Sequence, residues 1–249
     1  MRKMCSVSKV RAATIAVATL SALALAAPVG AQVAGKGFLF KQPEGTFTVF
    51  GGYSRPNAVG DVFDFTTKNL TVSRNDFSSM SIGFEAQYRL SEQVDVSLGL
   101  SYAGSGKKSE FRDWEDNKHQ PIEQKTTLQR IPVTASLKYY LLPRGHSISR
   151  FAWVPTKYAP FIGVGGGAMW YSFRQEGDFI DFGTGNVFPD SFKSDDWTGT
   201  AHALAGFEYS LSPRYSLTTE ARYTWAKGEL SNDFSGFCET TGAGSRIDG

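Results

Sequence analysis

The chain is poor in the residues that build metal centres, disulfide frameworks and membrane helices. Of its 249 residues only two are cysteine and three are histidine, at positions without ligand spacing. After residue 31, no apolar run reaches the roughly 20 residues that a membrane-spanning helix needs. The formal net charge is +2, and no basic cluster indicates a nucleic-acid partner. The sequence therefore predicts no metal, no cofactor and no bound nucleic acid.

The N-terminal segment has the composition of a secretion signal. Four basic residues within the first eleven precede a run of small apolar residues from Thr14 to Ala27, and small residues surround Ala31. We expect residues 1–31 to be a signal peptide that is cleaved near Ala31. The remaining residues, 32–249, carry two more acidic than basic groups and one thiol, Cys238, so no intrachain disulfide can form there. Their last part, 227–249, is expected to be an irregular tail.

Apolar and polar residues alternate along most of the chain after residue 45. The clearest stretches are 80–90 and 94–102 around the turn 91–93, and 201–211 and 215–225 around the turn 212–214. Period-two alternation on both sides of a tight turn predicts hairpins with one apolar face. Further strands are predicted at 46–55, 131–141 and 158–173, which makes seven.

The predicted connections alternate in length, as in bacterial outer-membrane barrels. Turn-like connections lie at 91–93, 142–157 and 212–214, and long polar loops at 56–78, 103–127 and 174–196. A soluble barrel has the same period with the faces reversed. Tyr and Trp residues at both rims favour lipid on the outside, and we expect Phe151, Trp153 and Tyr158 at the membrane interface.

With these features the chain resembles the small eight-stranded outer-membrane β-barrels, the OmpA-like transmembrane domain and the opacity-type surface proteins. The resemblance covers residues 46–230 and is carried by the signal peptide, the hairpin pattern and the turn sequences GFEAQYRLSEQ and GFEYSLSPRYS. It implies an all-β, antiparallel, up-and-down transmembrane barrel in the outer membrane of a Gram-negative bacterium. It also implies contact with membrane lipid and lipopolysaccharide, and insertion by the barrel-insertion machinery.

The chain departs from that family after Trp225. Family members close the barrel with a last strand that ends in an aromatic residue, whereas a polar, Gly-rich stretch follows here. Two explanations remain open. The chain is truncated or frameshifted after about Phe237, which we favour, or part of 57–77 (DVFDF or LTVS) forms an extra strand.

Ionised residues at inner-face positions of the predicted strands form the candidate functional site. We expect Arg89 to lie opposite Asp95 across a hairpin, as a favourable pair. Eight strands leave an interior that side chains just fill, so the set is interpreted as salt-bridged filling. The alternative, a gated path for small solutes, uses the same residues. The set comprises Glu85, Arg89, Asp95, Arg130, Lys138, Glu208, Glu220 and Arg222.

A non-enzymatic role is predicted, with no catalytic residue. His119 lies in a long loop, His146 near the short-turn rim and His202 in the lumen, and none suits a His–Ser pair at the outer rim. We expect a structural or surface-interaction role through the long loops. A narrow channel for small solutes is the alternative, and a lipid A-modifying enzyme a distant one. Aromatic loop residues are candidates for contact with host or cell-surface ligands: Phe63, Phe65, Phe111, Trp114, Phe179, Phe182 and Phe188.

Overall fold

A computed structural model describes residues 12–20, 24–25, 38–58, 61–116, 119–180 and 186–228. One α-helix, one 3₁₀ helix and eleven strands occur in these residues. The helices are α1 (Asp61–Asn69) and the 3₁₀ helix Arg74–Phe77. The strands are β1 (Ala12–Leu20), β2 (Ala24–Leu25), β3 (Gly45–Arg55), β4 (Ser79–Arg89), β5 (Val94–Glu115), β6 (Pro121–Tyr140), β7 (Gly145–Ser149), β8 (Ala152–Pro155), β9 (Tyr158–Ile180), β10 (Val187–Ser210) and β11 (Ser216–Ala226).

Seven strands form an antiparallel meander in the order β3-β4-β5-β6-β9-β10-β11. Both predicted hairpins are present. In the first, the amides of Leu90 and Ser91 bond to the carbonyl of Val94, 2.9 and 3.0 Å away. In the second, the β10–β11 pairing runs from Ser210 opposite Ser216 up to the far end of β11. The predicted all-β, antiparallel barrel class is confirmed.

Strand β1 takes the eighth position of the sheet. It pairs with β11 on one side and with β3 on the other, so the strand order returns to its start. Ile15 lies opposite both Tyr223 and Arg55. Ala12–Leu20 falls within the segment predicted to be a signal peptide. The eighth strand of the ring is therefore supplied by that segment.

The distribution of polar and apolar side chains is inside out. On β4, Met80 and Ile82 are 73% and 63% exposed, whereas Glu85 and Gln87 are 4% and 8% exposed. The same reversal recurs along β5 and β6 in the half that carries the short turns. A polar interior inside an apolar outer band is the pattern of barrels that face lipid. No α-helix in the described ranges is long and apolar enough to cross a membrane.

Four strands extend far beyond the other barrel strands. β5 continues to Glu115, β6 starts at Pro121, β9 continues to Ile180 and β10 starts at Val187. The predicted long loops 103–127 and 174–196 are therefore wrong for most of their length. Most of these residues instead form the parts of β5, β6, β9 and β10 that lie farthest from the short turns. We call this four-stranded region the outer sheet. Alternation was missed there because apolar residues in the outer sheet change to the inner face.

The 56–78 connection folds over the mouth of the barrel. The DVFDF segment lies in helix α1, so the proposal that it adds a strand is wrong. Of the LTVS segment, Leu70 alone forms a bridge, with Phe111. Phe63 packs edge-to-face on Phe77 and Phe173, with ring centroids 4.9 and 5.8 Å away. These rings join a buried cluster, which we call the plug, consisting of Ala58, Phe63, Val72, Phe77, Leu128 and Phe173.

Several of the loop aromatics that were candidates for surface contact are buried. Phe63, Phe111 and Phe179 are buried, because they pack inside the outer sheet. Phe65 is half-buried. Trp114 and Phe188 are each 40% exposed and fit the prediction. Phe182 lies outside the described residues.

A second small hairpin, β7–β8, covers the opposite end. It lies in the 142–157 connection, where we expected three interfacial aromatics. Phe151 and Tyr158 are exposed, but Trp153 is 6% exposed. Its backbone exchanges two hydrogen bonds of 2.8 Å with Leu39, and the Arg89 guanidinium lies 5.8 Å from its ring centroid. Trp153 therefore packs inward instead of lying at an interface.

Candidate functional site in the barrel lumen

Four of the eight predicted lumen residues meet in one cluster of ion pairs. The Lys138 ammonium donates to Glu85 at 2.6 Å and to Glu220 at 2.9 Å. Arg222 lies 3.2 Å from Glu85 and 2.8 Å from Glu220. Lys138 and Glu85 have side chains only 2% and 5% exposed. Two cations thus alternate with two carboxylates across the lumen, and we call this group the central cluster.

Small residues allow these long side chains to reach across the barrel. Glu85 on β4 and Thr134 on β6 are in register with Gly99 on the strand between them. A Cβ at Gly99 would lie 3.1 Å from the Thr134 hydroxyl and 3.8 Å from the Glu85 carboxylate. A Cβ at this position would press on the Thr134 hydroxyl and touch Glu85 at an ordinary contact distance, so the glycine leaves room beside the central cluster.

A second cluster lies toward the short turns and depends on a residue that the sequence analysis missed. Arg144 hydrogen-bonds to Asp95 and lies 3.3 Å from Glu208. Its guanidinium also stacks over Tyr140, 4.7 Å from the ring centroid. Arg144 was missed because it lies in the 142–157 connection, where the strand pattern gives no signal. Its side chain turns back into the lumen from that end.

Arg89 and Asp95 are directly opposite in register, as expected. The hydrogen-bonded partner of Asp95, however, is Arg144. Arg89 instead extends toward Trp153 at the short-turn end. Arg130 is 5% exposed and lines the lumen beyond the central cluster, on the side of the plug. The predicted set is thus spread over three levels of the barrel.

Polar side chains join the two clusters into one chain of contacts. The Gln87 amide donates to Glu85 at 2.7 Å. The Tyr140 hydroxyl lies 3.5 Å from the Gln87 carbonyl oxygen and 3.3 Å from Glu208. Buried polar groups that are mutually bonded stiffen their surroundings, because moving one leaves the others unsatisfied.

A buried serine on β6 contacts a buried histidine on β10 over the intervening strand β9. The hydroxyl of Ser136 lies 2.8 Å from the Nε2 of His202, although β9 separates their strands. Gly165 is in register with both residues, and a Cβ there would lie 2.5 Å from Nε2. The missing side chain therefore permits the contact. Ser136 and His202 are 3% and 2% exposed, so a substrate cannot reach them in this conformation.

A cavity of about 110 Å³ adjoins the central cluster in the lumen. Its walls include Arg130, Thr134 and Met169, and its floor includes Glu85 and Arg222. A volume of this size holds a few water molecules. In the described part of the chain, no group of three or more His, Cys, Asp or Glu residues is placed to hold a metal ion.

Comparisons with known proteins give a likeness among the solved structures. No protein-family model and no curated protein matches the sequence. Among solved structures, the chain is similar to Ail, the attachment invasion locus protein of Yersinia pestis, crystallised in complex with the heparin analogue sucrose octasulfate. The TM-score is 0.30 and the identity 11%, covering 74% of this chain and 99% of that one. The strand pairing and reversed burial of this chain themselves define it as an antiparallel β-barrel with an apolar outer band.

Proposed function

We propose that this chain is a non-enzymatic outer-membrane protein whose barrel anchors an outer sheet for surface contacts and does not conduct solutes. The observation that carries the proposal is a lumen obstructed at two levels, by the central cluster and by the plug. The apolar outer band supports a membrane location. Polar strand edges in hydrocarbon need partners, which an antiparallel ring supplies.

The outer sheet is the part that we propose contacts other molecules. It stands beyond the apolar band, where lipopolysaccharide sugars and host or cell-surface ligands are accessible. Trp114 and Phe188, each 40% exposed, lie near its tip among charged side chains. Exposed aromatic residues next to polar ones are typical of contact surfaces. We expect a Trp114→Ser/Phe188→Ser variant to lower attachment of expressing cells to cultured epithelial monolayers while leaving surface expression unchanged.

Single-protein conductance in planar bilayers tests the closed lumen. We expect the purified full chain to give no stable open level. Removal of 61–77, which contains three of the six plug residues, should still leave a closed barrel, because the central cluster remains. A steady open level in the unmodified protein would instead favour the narrow channel, for which the cavity beside the central cluster is the structural argument.

We also propose export through residues 1–31, and this proposal has a direct structural consequence. Cleavage near Ala31 and closure by β1 exclude each other in one molecule, because β1 lies within the cleaved segment. Without β1, β3 and β11 would each present unpaired polar groups to lipid, at a cost of several kcal/mol for each group.

Gel mobility combined with intact mass decides between these states in the outer-membrane fraction. A barrel that resists detergent until heated, with the mass of the full chain, would show that β1 is retained and that residues 1–31 are no cleaved signal. A heat-sensitive barrel with the mass of 32–249 would show that other residues take the eighth position. Absence of a heat-dependent shift would contradict a stable barrel.

A further inference from the structure

The outer face of the outer sheet carries cations directly above the apolar band. Ile131, Trp170 and Trp197 share one register level on this face and mark the upper end of that band. Thr127 lies four residues beyond Ile131, which is about 13 Å along a strand and roughly 10 Å of height in a tilted barrel strand. At this level and the next one outward the face carries exposed basic side chains: Lys108, Lys125, Arg174 and Lys193.

These cations stand directly opposite each other in two pairs. Lys108 is in register with Lys125, and Arg174 with Lys193. Like charges at directly opposite positions destabilise a sheet. Arg174 pairs with Glu176 at 3.2 Å, and Lys193 pairs with the aspartate two residues along its own strand at 2.8 Å. In the described part of the chain, the ion pairs of this face include neither Lys108 nor Lys125, so these two ammonium groups need an anion from outside the chain.

Two glycines of β5 leave a gap in the layer of side chains beside these ammonium groups. Gly104 and Gly106 lie on the outer face of β5, between Tyr102 and Lys108. A Cβ at Gly104 would lie 2.6 Å from the Tyr102 hydroxyl, and one at Gly106 would lie 3.9 Å from Cε of Lys125. Tyr102 therefore reaches away from the lipid over one glycine, and Lys125 leans back toward the lipid over the other. We call the backbone of these two glycines the glycine trough.

We propose that Tyr102, Lys108 and Lys125 bind a phosphate group of lipopolysaccharide in the glycine trough. Lipopolysaccharide carries phosphates on the sugars directly above its acyl chains, and the trough lies directly above the apolar band. A lysine ammonium is a compact charge that binds phosphate, and a tyrosine hydroxyl can donate a hydrogen bond to it. The inference rests on the proposed outer-membrane location and names the lipid group that the outer sheet contacts.

The charges around the glycine trough favour a phosphate at this level. Glu110 and Glu123 are in register one level farther from the lipid, where they repel an anion. At the level of Gly106, Arg174 and Lys193 lie two and three strands away, which is about 10 and 14 Å around the wall. The cations thus lie next to the lipid and the carboxylates lie beyond them, so a phosphorylated sugar is attracted to the foot of the outer sheet.

Amine footprinting of the unmodified full chain tests the site. The protein in detergent micelles is acetylated without and with diphosphorylated lipid A, and peptide mass spectrometry measures each lysine. We expect acetylation of Lys108 and Lys125 to slow roughly tenfold when the lipid is at about ten times its Kd, because only the free protein reacts. Lys157, exposed beside the short turns, is the internal control and should react at an unchanged rate. Lipid A without phosphates should protect none of the three.

Matched charge variants measure the affinity in the same micelles. Lys108→Gln/Lys125→Gln should weaken the binding of diphosphorylated lipid A by roughly 10- to 30-fold, the effect of two lysines at an anionic lipid surface. Lys108→Arg/Lys125→Arg keeps both charges and should restore most of the affinity. The control, Arg150→Gln/Lys157→Gln, removes the same charge at the opposite end of the barrel and should leave the affinity unchanged.

Each other outcome contradicts the inference. Equal losses in the two glutamine variants would show attraction by net charge alone, and protection by lipid A without phosphates would show coverage by the acyl chains. Displacement of lipid A by equimolar inorganic phosphate would assign the glycine trough to a free anion. If Lys108→Gln/Lys125→Gln loses the heat-dependent gel shift, the footprinting of the unmodified chain decides alone. Absence of that shift from the unmodified chain would refute the proposed barrel, whereas a shift with unprotected lysines would refute only this inference.

Discussion

The two halves of strand β6 differ in the kind of side chain that they expose. In the half near the short turns, Thr134, Ser136 and Lys138 face the lumen and are nearly inaccessible, while Val133 and Leu137 are about half exposed. In the outer half the inner face buries Ile122 and Leu128 together with Gln124 and Thr126, and the outer face is polar. The change occurs near Arg130, within one uninterrupted strand.

The difference shows that the surroundings, and not the strand, decide which residues are buried. Lipid accepts apolar side chains on the outside, so the lumen is left for polar groups, which must then pair with each other. Above the lipid, water favours polar side chains outside, and the apolar residues gather on the plug. A substitution that is unfavourable in the lipid-facing half should therefore be tolerated at a matching position in the outer half, and the reverse should also hold.

The largest effect is expected from Lys138→Ala. The substitution removes the ammonium that lies between Glu85 and Glu220 and leaves these buried carboxylates with one of their two shared cations, Arg222. Breaking a buried ion pair by removing one partner costs about 3–5 kcal/mol. Urea unfolding of the protein in lipid vesicles, followed by tryptophan fluorescence, measures the loss.

Lys125→Ala is the matched control, because this residue lies on the outer face of the same strand and is exposed. We expect it to change stability by less than about 0.5 kcal/mol. Combining Lys138→Met with Glu85→Gln should restore part of the lost stability, since both charges are then absent. Equal effects of Lys138→Ala and Lys125→Ala would contradict the central cluster.

Phe63→Ala should act on the outer half alone. The ring fills the centre of the plug against Phe77 and Phe173. Removing a buried phenylalanine ring costs about 3–4 kcal/mol, and here the cost falls on the docking of α1 rather than on the barrel. We expect faster trypsin cleavage after Lys68 or Arg74, with an unchanged heat-dependent gel shift. Phe188→Ala, at an exposed aromatic, is the control; cleavage as slow as in the unmodified chain would argue against the plug.

The two halves also differed in how well the sequence predicted them. In the lipid half, alternation is strict, so the strands, the hairpin turns and the Arg89–Asp95 register all followed from it. In the outer half the apolar residues change faces, and the pattern was interpreted as loops. Helix α1 was missed because its short sequence, DVFDFTTKN, is rich in Val, Phe and Thr, which favour strands.

The sequence predicted which face of a strand each candidate site residue occupies, but not which residues it contacts. Inner-face charges were found from their period, but their partners depend on tertiary contacts between strands that are distant in sequence. Lys138 and Glu220 are 82 positions apart. Arg144 and the Ser136–His202 contact carry no local signal, since the first lies in a connection and the second depends on the missing side chain of Gly165.

Ala135→Arg tests the lipid-facing surface of β6. Ala135 lies on the exposed face of β6, between Leu98 and Gly166 in register, near the middle of the apolar band. An arginine on the lipid face at mid-membrane costs about 2–4 kcal/mol. Gln129→Arg, on the same face but above the apolar band, should be close to neutral. Vesicle unfolding of both variants gives the difference, and similar losses in the two would place the lipid boundary elsewhere.

The smallest expected effect is a pH dependence in the stability of the 3₁₀ helix Arg74–Phe77, which carries the plug residue Phe77. The Asp76 carboxylate accepts hydrogen bonds from the Ser73 amide and hydroxyl, both 2.9 Å long, and Lys107 lies 3.5 Å away. The hydrogen bonds from Ser73, with a smaller contribution from Lys107, lower the pKa of Asp76 below its ordinary value of 3.8. Because the folded form has the lower pKa, this stabilisation is present above the ordinary pKa. It is lost as the pH falls through the lowered one.

Amide-exchange protection of the 3₁₀ helix Arg74–Phe77 measures this dependence. Loss of a capping carboxylate costs about 1 kcal/mol, so protection should fall roughly fivefold on acidification below about pH 4. Asp76→Asn removes the titrating group and should give low protection at every pH, whereas Asp113→Asn, on the exposed end of β5, should keep the unmodified profile. A pH profile that survives Asp76→Asn would assign the titration to another carboxylate.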